Sequence, residues 1–123
     1  MLYAILCYDR EAVTEGLSPD EDAALMERLI AVQEPMARQG KMGPVARLKP
    51  TSAAVTLRKG VDSLVVDGPF AETKEQLLGF YMVEVDSREE AVDFARQLAG
   101  AATHGSGAYE IRPVGLFRPG RGD

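Results

Sequence analysis

The chain is 123 residues long, 46% hydrophobic and 27% charged, which suits one globular domain and leaves no room for a second. Its 14 Lys and Arg against 19 Asp and Glu leave a net charge of −5, and without a basic run that balance argues against a phosphate-backbone binder. One His and one Cys exclude an internal disulfide and a zinc site of Cys/His type, and no apolar run nears the roughly 18 residues of a membrane span.

The expected setting is the cytoplasm, with no metal or cofactor and no nucleic-acid or membrane partner. Residues 2–8, Leu-Tyr-Ala-Ile-Leu-Cys-Tyr, are apolar at odd and even positions alike, the pattern of a strand buried on both faces. No basic segment precedes them and no small-residue cleavage site follows, so they are not read as a signal peptide. Asp9, Arg10 and Glu11 end the strand. Ser18-Pro19-Asp20-Glu21 then opens a helix: Ser18 can accept from the Glu21 amide, Glu21 can reach back to Ser18, and Pro19 suits the first helical position. Leu25, Met26, Leu29, Ile30, Gln33, Met36 and Ala37 recur at helical spacing up to Gly40. Pro35 deprives the Ala31 carbonyl of a donor and predicts a kink, or a stop and restart. Residues 41–50 are irregular, with a brief strand over 45–48. Two β-rich runs, 53–58 and 63–66, flank Lys59-Gly60-Val61-Asp62 and predict a hairpin. A long polar connection over 67–78 leads to a second strongly apolar strand, 79–85. Ser87-Arg88-Glu89-Glu90 repeats the capping box ahead of a stripe of Ala91, Val92, Phe94, Ala95 and Leu98, with the helix ending at Gly100. Residues 101–107 form a loop and 109–114 the last strand, giving a single domain over 1–114 and a tail over 115–123.

With the hairpin set aside the order is β-α-β-β-α-β. This is an α+β, ferredoxin-like (split βαβ) plan: an antiparallel sheet with two helices on one face and the doubly apolar strands at its centre. Two helices cover only that face. Burying a large apolar side chain is worth about 1.5–3 kcal/mol, so the opposite face calls for cover, which the hairpin supplies in part and a second copy supplies better. The expectation is a homodimer packed sheet to sheet, with a monomer carrying an exposed patch as the alternative.

Asp67-Gly68-Pro69-Phe70-Ala71-Glu72-Thr73-Lys74-Glu75 is the most informative stretch. It joins neighbouring strands by a dozen residues or so, where hairpin loops usually take roughly 2–5, and such length is normally kept for a task. Gly68-Pro69 is a turn, Phe70 an apolar anchor, and Asp67 a carboxylate at the mouth of a strand. Together with Gly79-Phe80-Tyr81 and Glu110-Ile111-Arg112-Pro113-Val114, this run resembles the signature of the YCII-related (DGPF-domain) family over nearly the whole chain. The resemblance implies a ferredoxin-like subunit that pairs as a dimeric α+β barrel. It also implies a superfamily of small-molecule lyases, isomerases and monooxygenases that work in a cavity between sheet and helices. For the YCII-like relatives it implies acid/base catalysis by a His–Asp pair. The first helix region here has no His, so only Asp67 carries over, as the acidic member. For the DGPF branch it implies no settled activity and, in some members, association with extracytoplasmic-function sigma factors of RNA polymerase.

The catalytic candidates are Asp67 and His104. Asp67 is a general acid or base if burial beside Phe70 raises its pKa, and otherwise a turn former accepting backbone N–H bonds near Gly68. His104, within Thr103-His104-Gly105-Ser106-Gly107, is a proton shuttle or a solvated loop residue. Phe70, Lys74, Tyr81 and Arg112 are the substrate-binding candidates. Arg112 and Lys74 suit a carboxylate or, alternatively, ion pairs with Glu84 or Glu110. Tyr81, like Tyr3 and Tyr8, offers a hydroxyl to a pocket or simply packs. Cys7 has no flanking base and is expected to be inert. The functional expectation is a small-molecule enzyme transferring protons in a pocket beside Asp67-Gly68-Pro69-Phe70. The alternatives are a non-catalytic ligand-binding or sigma-factor-linked regulatory module and, last, a scaffold without a pocket.

Overall fold

The structure, a computed structural model, describes residues 1–60, 64–102 and 105–120. Its first strand, β1 (Leu2–Asp9), is followed by a short helix, α1 (Glu11–Glu15), and a long one, α2 (Pro19–Arg38). Then come β2 (Met42–Arg47), a single 3-10 turn (Thr51–Ala53) and the short strands β3 (Val55–Leu57) and β4 (Val65–Asp67). The long β5 (Gln76–Glu84), helix α3 (Arg88–Ala101) and β6 (Ala108–Pro113) complete the chain. Four strands form an antiparallel sheet in the order β2-β5-β1-β6, and β3 and β4 pair in a sheet of their own. The two strongly apolar strands are the central pair.

Helix α2 begins with both arms of its capping box: Glu21 N donates to Ser18 Oγ at 3.1 Å, and Ser18 N donates to Glu21 Oε1 at 2.9 Å. It runs through Pro35 as one helix and does not stop there. Ala31 and Pro35 are both exposed, so the carbonyl left without a donor lies on the solvated side. A Schellman arrangement closes the helix. Gly40 N donates to Ala37 O and Lys41 N to Met36 O, at 3.0 and 2.9 Å, with Gly40 at φ +71°. The cap of α3 departs from expectation in one arm. Ser87 Oγ accepts from Glu90 N at 3.2 Å, but the Glu90 carboxylate takes the Asp86 amide instead and pairs with Lys41, tying α3 to the entry of β2. Strand β2 is longer than its sequence suggests, and Gly43-Pro44 sits in it at a register shift, which an edge strand tolerates. Strand β5 starts at Gln76 because a second shift, between Cys7 and Tyr8, lets it continue alongside the end of β1.

Helices α2 and α3 cover one face of the sheet. Ile5, Val83 and Val85 from the sheet side meet Phe94 and Leu98 of α3, and all five are fully buried. Among the described residues no helix is long and apolar enough to cross a membrane.

The expected sheet-to-sheet homodimer and closed α+β barrel are corrected by this architecture. The four-stranded sheet is open, ending at β2 and β6, and the β3–β4 pair is a separate sheet that does not close it. The reason lies on the face turned away from the helices. There Leu6 stands opposite Phe80 and Ala4 opposite Met82, while Glu110 and Arg112 of β6 flank the same two β1 positions. Adjacent side chains shelter one another, and the stems of Glu and Arg cover apolar surface while their heads stay wet. Met82 is therefore only 9% exposed, and Leu2, Ala4, Leu6 and Phe80 are half-buried within one chain. The premise of the dimer was a face bare until a second copy arrived, and that premise fails here. The hairpin does not act as the cover either, since Val55, Leu57, Leu64 and Val65 are all exposed.

Candidate functional site

Along the helix-facing side of β1 the residues are Tyr3, Ile5, Cys7 and Asp9, and along β5 they are Val83, Tyr81 and Gly79. Register sets Ile5 opposite Tyr81 and Cys7 opposite Gly79, so bulk falls away on both central strands at one level. Gly79 cannot be larger, because a Cβ there would overlap the Ala46 carbonyl oxygen. Above that level α2 packs on the core through Val32 and Met36, while Leu25, Met26 and Leu29 roof an open space. The result is a mainly apolar cavity of about 750 Å³ between the sheet and the N-terminal half of α2, within the roughly 300–1,000 Å³ of ordinary ligand sites. Helix α1 walls its end. Glu11 N donates to Gln76 Oε1 at 2.9 Å, and the Glu11 carboxylate accepts from Thr51 N and Oγ1, each at 2.6 Å.

The floor carries two phenols around a thiol. Cys7 faces Tyr109 across the β1–β6 register, and Tyr81 lies on its other side, its ring edge-on to Phe94 at 6.1 Å and 87°. Neither phenol oxygen has a hydrogen-bond partner among the described residues, and no side-chain oxygen there is both sealed from solvent and unpaired. Both hydroxyls therefore open on the cavity. Burial pushes the Cys7 thiol up to about 12. It likewise pushes Tyr109 up to about 12, with Cys7 and Asp9 adding to the shift, and raises Tyr81 above its ordinary range. At neutral pH the floor thus presents neutral donors and no thiolate. At the rim, Arg47 Nη2 and Nη1 meet the two Asp22 oxygens at 2.8 and 3.1 Å, which holds the Asp22 carboxyl below its usual range and raises Arg47. Asp9, at the end of β1 near Tyr109, accepts the Arg10 amide at 2.7 Å.

Of the residues singled out from sequence, Tyr81 lies in this cavity. Asp67 ends β4 and is exposed, outside the lining; its turn is held by Gly68 N on Ala54 O at 2.7 Å and Thr56 Oγ1 on Gly68 O at 2.9 Å. Phe70 is 71% exposed, with the Arg58 guanidinium 5.0 Å above its ring. Lys74 is exposed, and Arg112 is exposed on the sheet face opposite the cavity. His104 lies outside the described residues. Sequence reasoning passed over Asp9, Tyr109 and the Asp22–Arg47 pair. The available signal was the two-residue period, which sets Asp9 on the same side as Cys7. Among the described residues no three His, Cys, Asp or Glu side chains are grouped to hold a metal ion.

The model of the YCII-related domain matches residues 1–118, and the chain belongs to that family. It is 54% identical over 121 residues to an uncharacterized protein of Rhizobium meliloti (strain 1021), spanning 98% of this chain and 97% of that one. Among solved structures it is similar to 5-chloro-2-hydroxyhydroquinone dehydrochlorinase (TftG) from Burkholderia phenoliruptrix AC1100, in complex with 2,5-dihydroxybenzoquinone. That match has 19% identity and a TM-score of 0.40, and covers 89% of this chain and 91% of the other.

Proposed function

We propose that this YCII-related chain is a small-molecule enzyme that moves a proton on a compact, mostly apolar substrate bearing a carbonyl-type oxygen, in the cavity between α2 and the sheet. One observation carries the reading: two neutral phenols without hydrogen-bond partners among the described residues open onto an apolar space of about 750 Å³. A tyrosine hydroxyl that opens on an apolar cavity and has no partner among the described residues is free to donate to a ligand oxygen. Charge developing on that oxygen during proton abstraction is stabilised by donors already in place, with Phe94 bracing the Tyr81 ring. Asp9 is the proton acceptor in this scheme: it lies beside Tyr109 on the floor, whereas Glu11 is committed to Thr51, Asp22 to Arg47, and Glu15 sits at the end of α1 on the wall. Cys7 does no nucleophilic work, since burial keeps its proton on.

A non-catalytic ligand-binding, regulatory role is the second reading. It is favoured by the same floor, whose thiol and phenols stay protonated through neutral pH and bind without reacting. Proton NMR of a panel of aryl ketones in D₂O separates the two. The enzyme reading expects protein-catalysed exchange of the hydrogens beside the carbonyl, lost in Asp9→Asn and slowed about 10²–10³-fold in Tyr81→Phe or Tyr109→Phe. Binding without exchange supports the second reading, and no binding by any ketone rejects the cavity as the site. Asp67→Asn should leave exchange unchanged; loss of exchange in that variant would return the chemistry to the 67–75 segment.

A further inference from the structure

We infer that the cavity selects uncharged ligands over anionic ones, and that Asp22 sets this preference by occupying the guanidinium of Arg47. The inference rests on the cavity being the ligand site and names the charge class it takes. Strand β2 sets Val45 and Arg47 opposite Tyr81 and Gly79, so Arg47 stands on the helix-facing side among the lining residues. An unoccupied guanidinium there would be a ready fork for a substrate carboxylate. Instead both of its terminal nitrogens are given to Asp22, from the opening turns of α2.

Among the described residues, the other charged groups lining the space are Asp9, Glu11 and Glu15 against Lys49. With Arg47 neutralised by Asp22, the balance is acidic. A ligand carboxylate meets repulsion from Asp9. It can take the end-on fork of Arg47 only by evicting Asp22, which exchanges one fork for an equivalent one and leaves a second carboxylate unpaired, and the donors that remain on Arg47 belong to a charge Asp22 already neutralises. A neutral oxygen seeking the phenols incurs neither cost. The pair is part-exposed, at 45% for Arg47 and 35% for Asp22. Such a pair contributes little to folding, so Asp22 can be changed without loss of the fold.

The test uses three probes of one shape, naphthol, naphthoate and naphthylmethylammonium, titrated by calorimetry into the full chain and its variants at neutral pH. The unaltered chain should bind naphthol at least about tenfold more tightly than naphthoate, the size of effect one charge-assisted contact confers. Asp22→Ala should cancel or reverse that ratio while leaving naphthol affinity within about twofold, and Asp22→Ala with Arg47→Gln should restore the exclusion. Asp22→Asn, which keeps the side-chain shape, serves if the alanine variant does not fold. Naphthylmethylammonium should match or exceed naphthol; equal or tighter binding of naphthoate overturns the inference. So does a ratio unmoved by Asp22→Ala, although naphthol binding would then still uphold the cavity as a site. Failure of all three probes removes the cavity reading and the inference together.

Discussion

Phe94 is the residue at which core and site meet, and replacing it tests both. It is 2% exposed on α3, and its ring braces Tyr81 edge-on. Phe94→Ala withdraws a buried phenyl and leaves a void between α3 and the sheet, a change that typically costs ~3–5 kcal/mol. Of this, ~0.5–1.5 kcal/mol belongs to the ring–ring geometry itself. Domains of this size hold only about 5–15 kcal/mol in total, so the variant should lose a large share of its stability. With a urea slope of about 2 kcal/mol/M, its midpoint should fall by roughly 2 M. The assay is urea unfolding followed by far-UV circular dichroism and by tyrosine fluorescence, since the chain has no Trp. A double-mutant cycle with Tyr81→Leu should return a coupling of ~0.5–1.5 kcal/mol. A loss below about 1 kcal/mol, or a coupling of zero, would refute the placement of Phe94 as the support of Tyr81.

Gly79→Ala drives a Cβ into the Ala46 carbonyl and should cost at least the ~1–3 kcal/mol typical of overpacking, read as a lowered melting temperature with hydrogen-exchange protection lost first in β2. Ser18→Ala removes the acceptor for the Glu21 amide and should cost about 1 kcal/mol by urea titration, with β-sheet signals unchanged. Alkaline pH should destabilise the fold in a defined window. The Cys7 proton is held from an ordinary 9.0 up to about 12 and that of Tyr109 from 10.0 up to about 12. The unfolded chain therefore releases both protons first, and stability intact below about pH 9 is lost as pH rises toward 12. Melting temperatures across that range should fall, less steeply in Cys7→Ala, and a flat profile in the unaltered chain would reject the buried thiol.

Much of the fold was legible because its signals are local. The box at Ser18–Glu21 and the doubly apolar runs of β1 and β5 each act within a few residues, and the 67–75 run together with Gly79-Phe80-Tyr81 pointed to the family. Helix α1 was not legible. Arg10 supplies no side-chain cap, and the five residues are held by Glu11 bonding to Gln76 and Thr51, both far along the chain. The open sheet was misjudged for a related reason: alternation tells which side chains are apolar, but not how Leu6 and Phe80, or Ala4 and Met82, shelter each other once paired. At the site, Tyr81 was visible as a tyrosine on a central strand. Asp9 read only as the end of a strand, because what gives it context is Tyr109, from the last strand of the sheet.

By itself the sequence determined the order of the main elements, the central position of two strands and the family, all carried by contacts or motifs a few residues long. The tertiary structure alone decided that the sheet stays open and that a cavity exists at all. Cys7 and Gly79 make a gap only because register brings them to the same level beneath α2, and Arg47 is silenced only because α2 delivers Asp22 to it. A void and its charge are properties of residues distant in the chain meeting in space, and no local pattern encodes such a meeting.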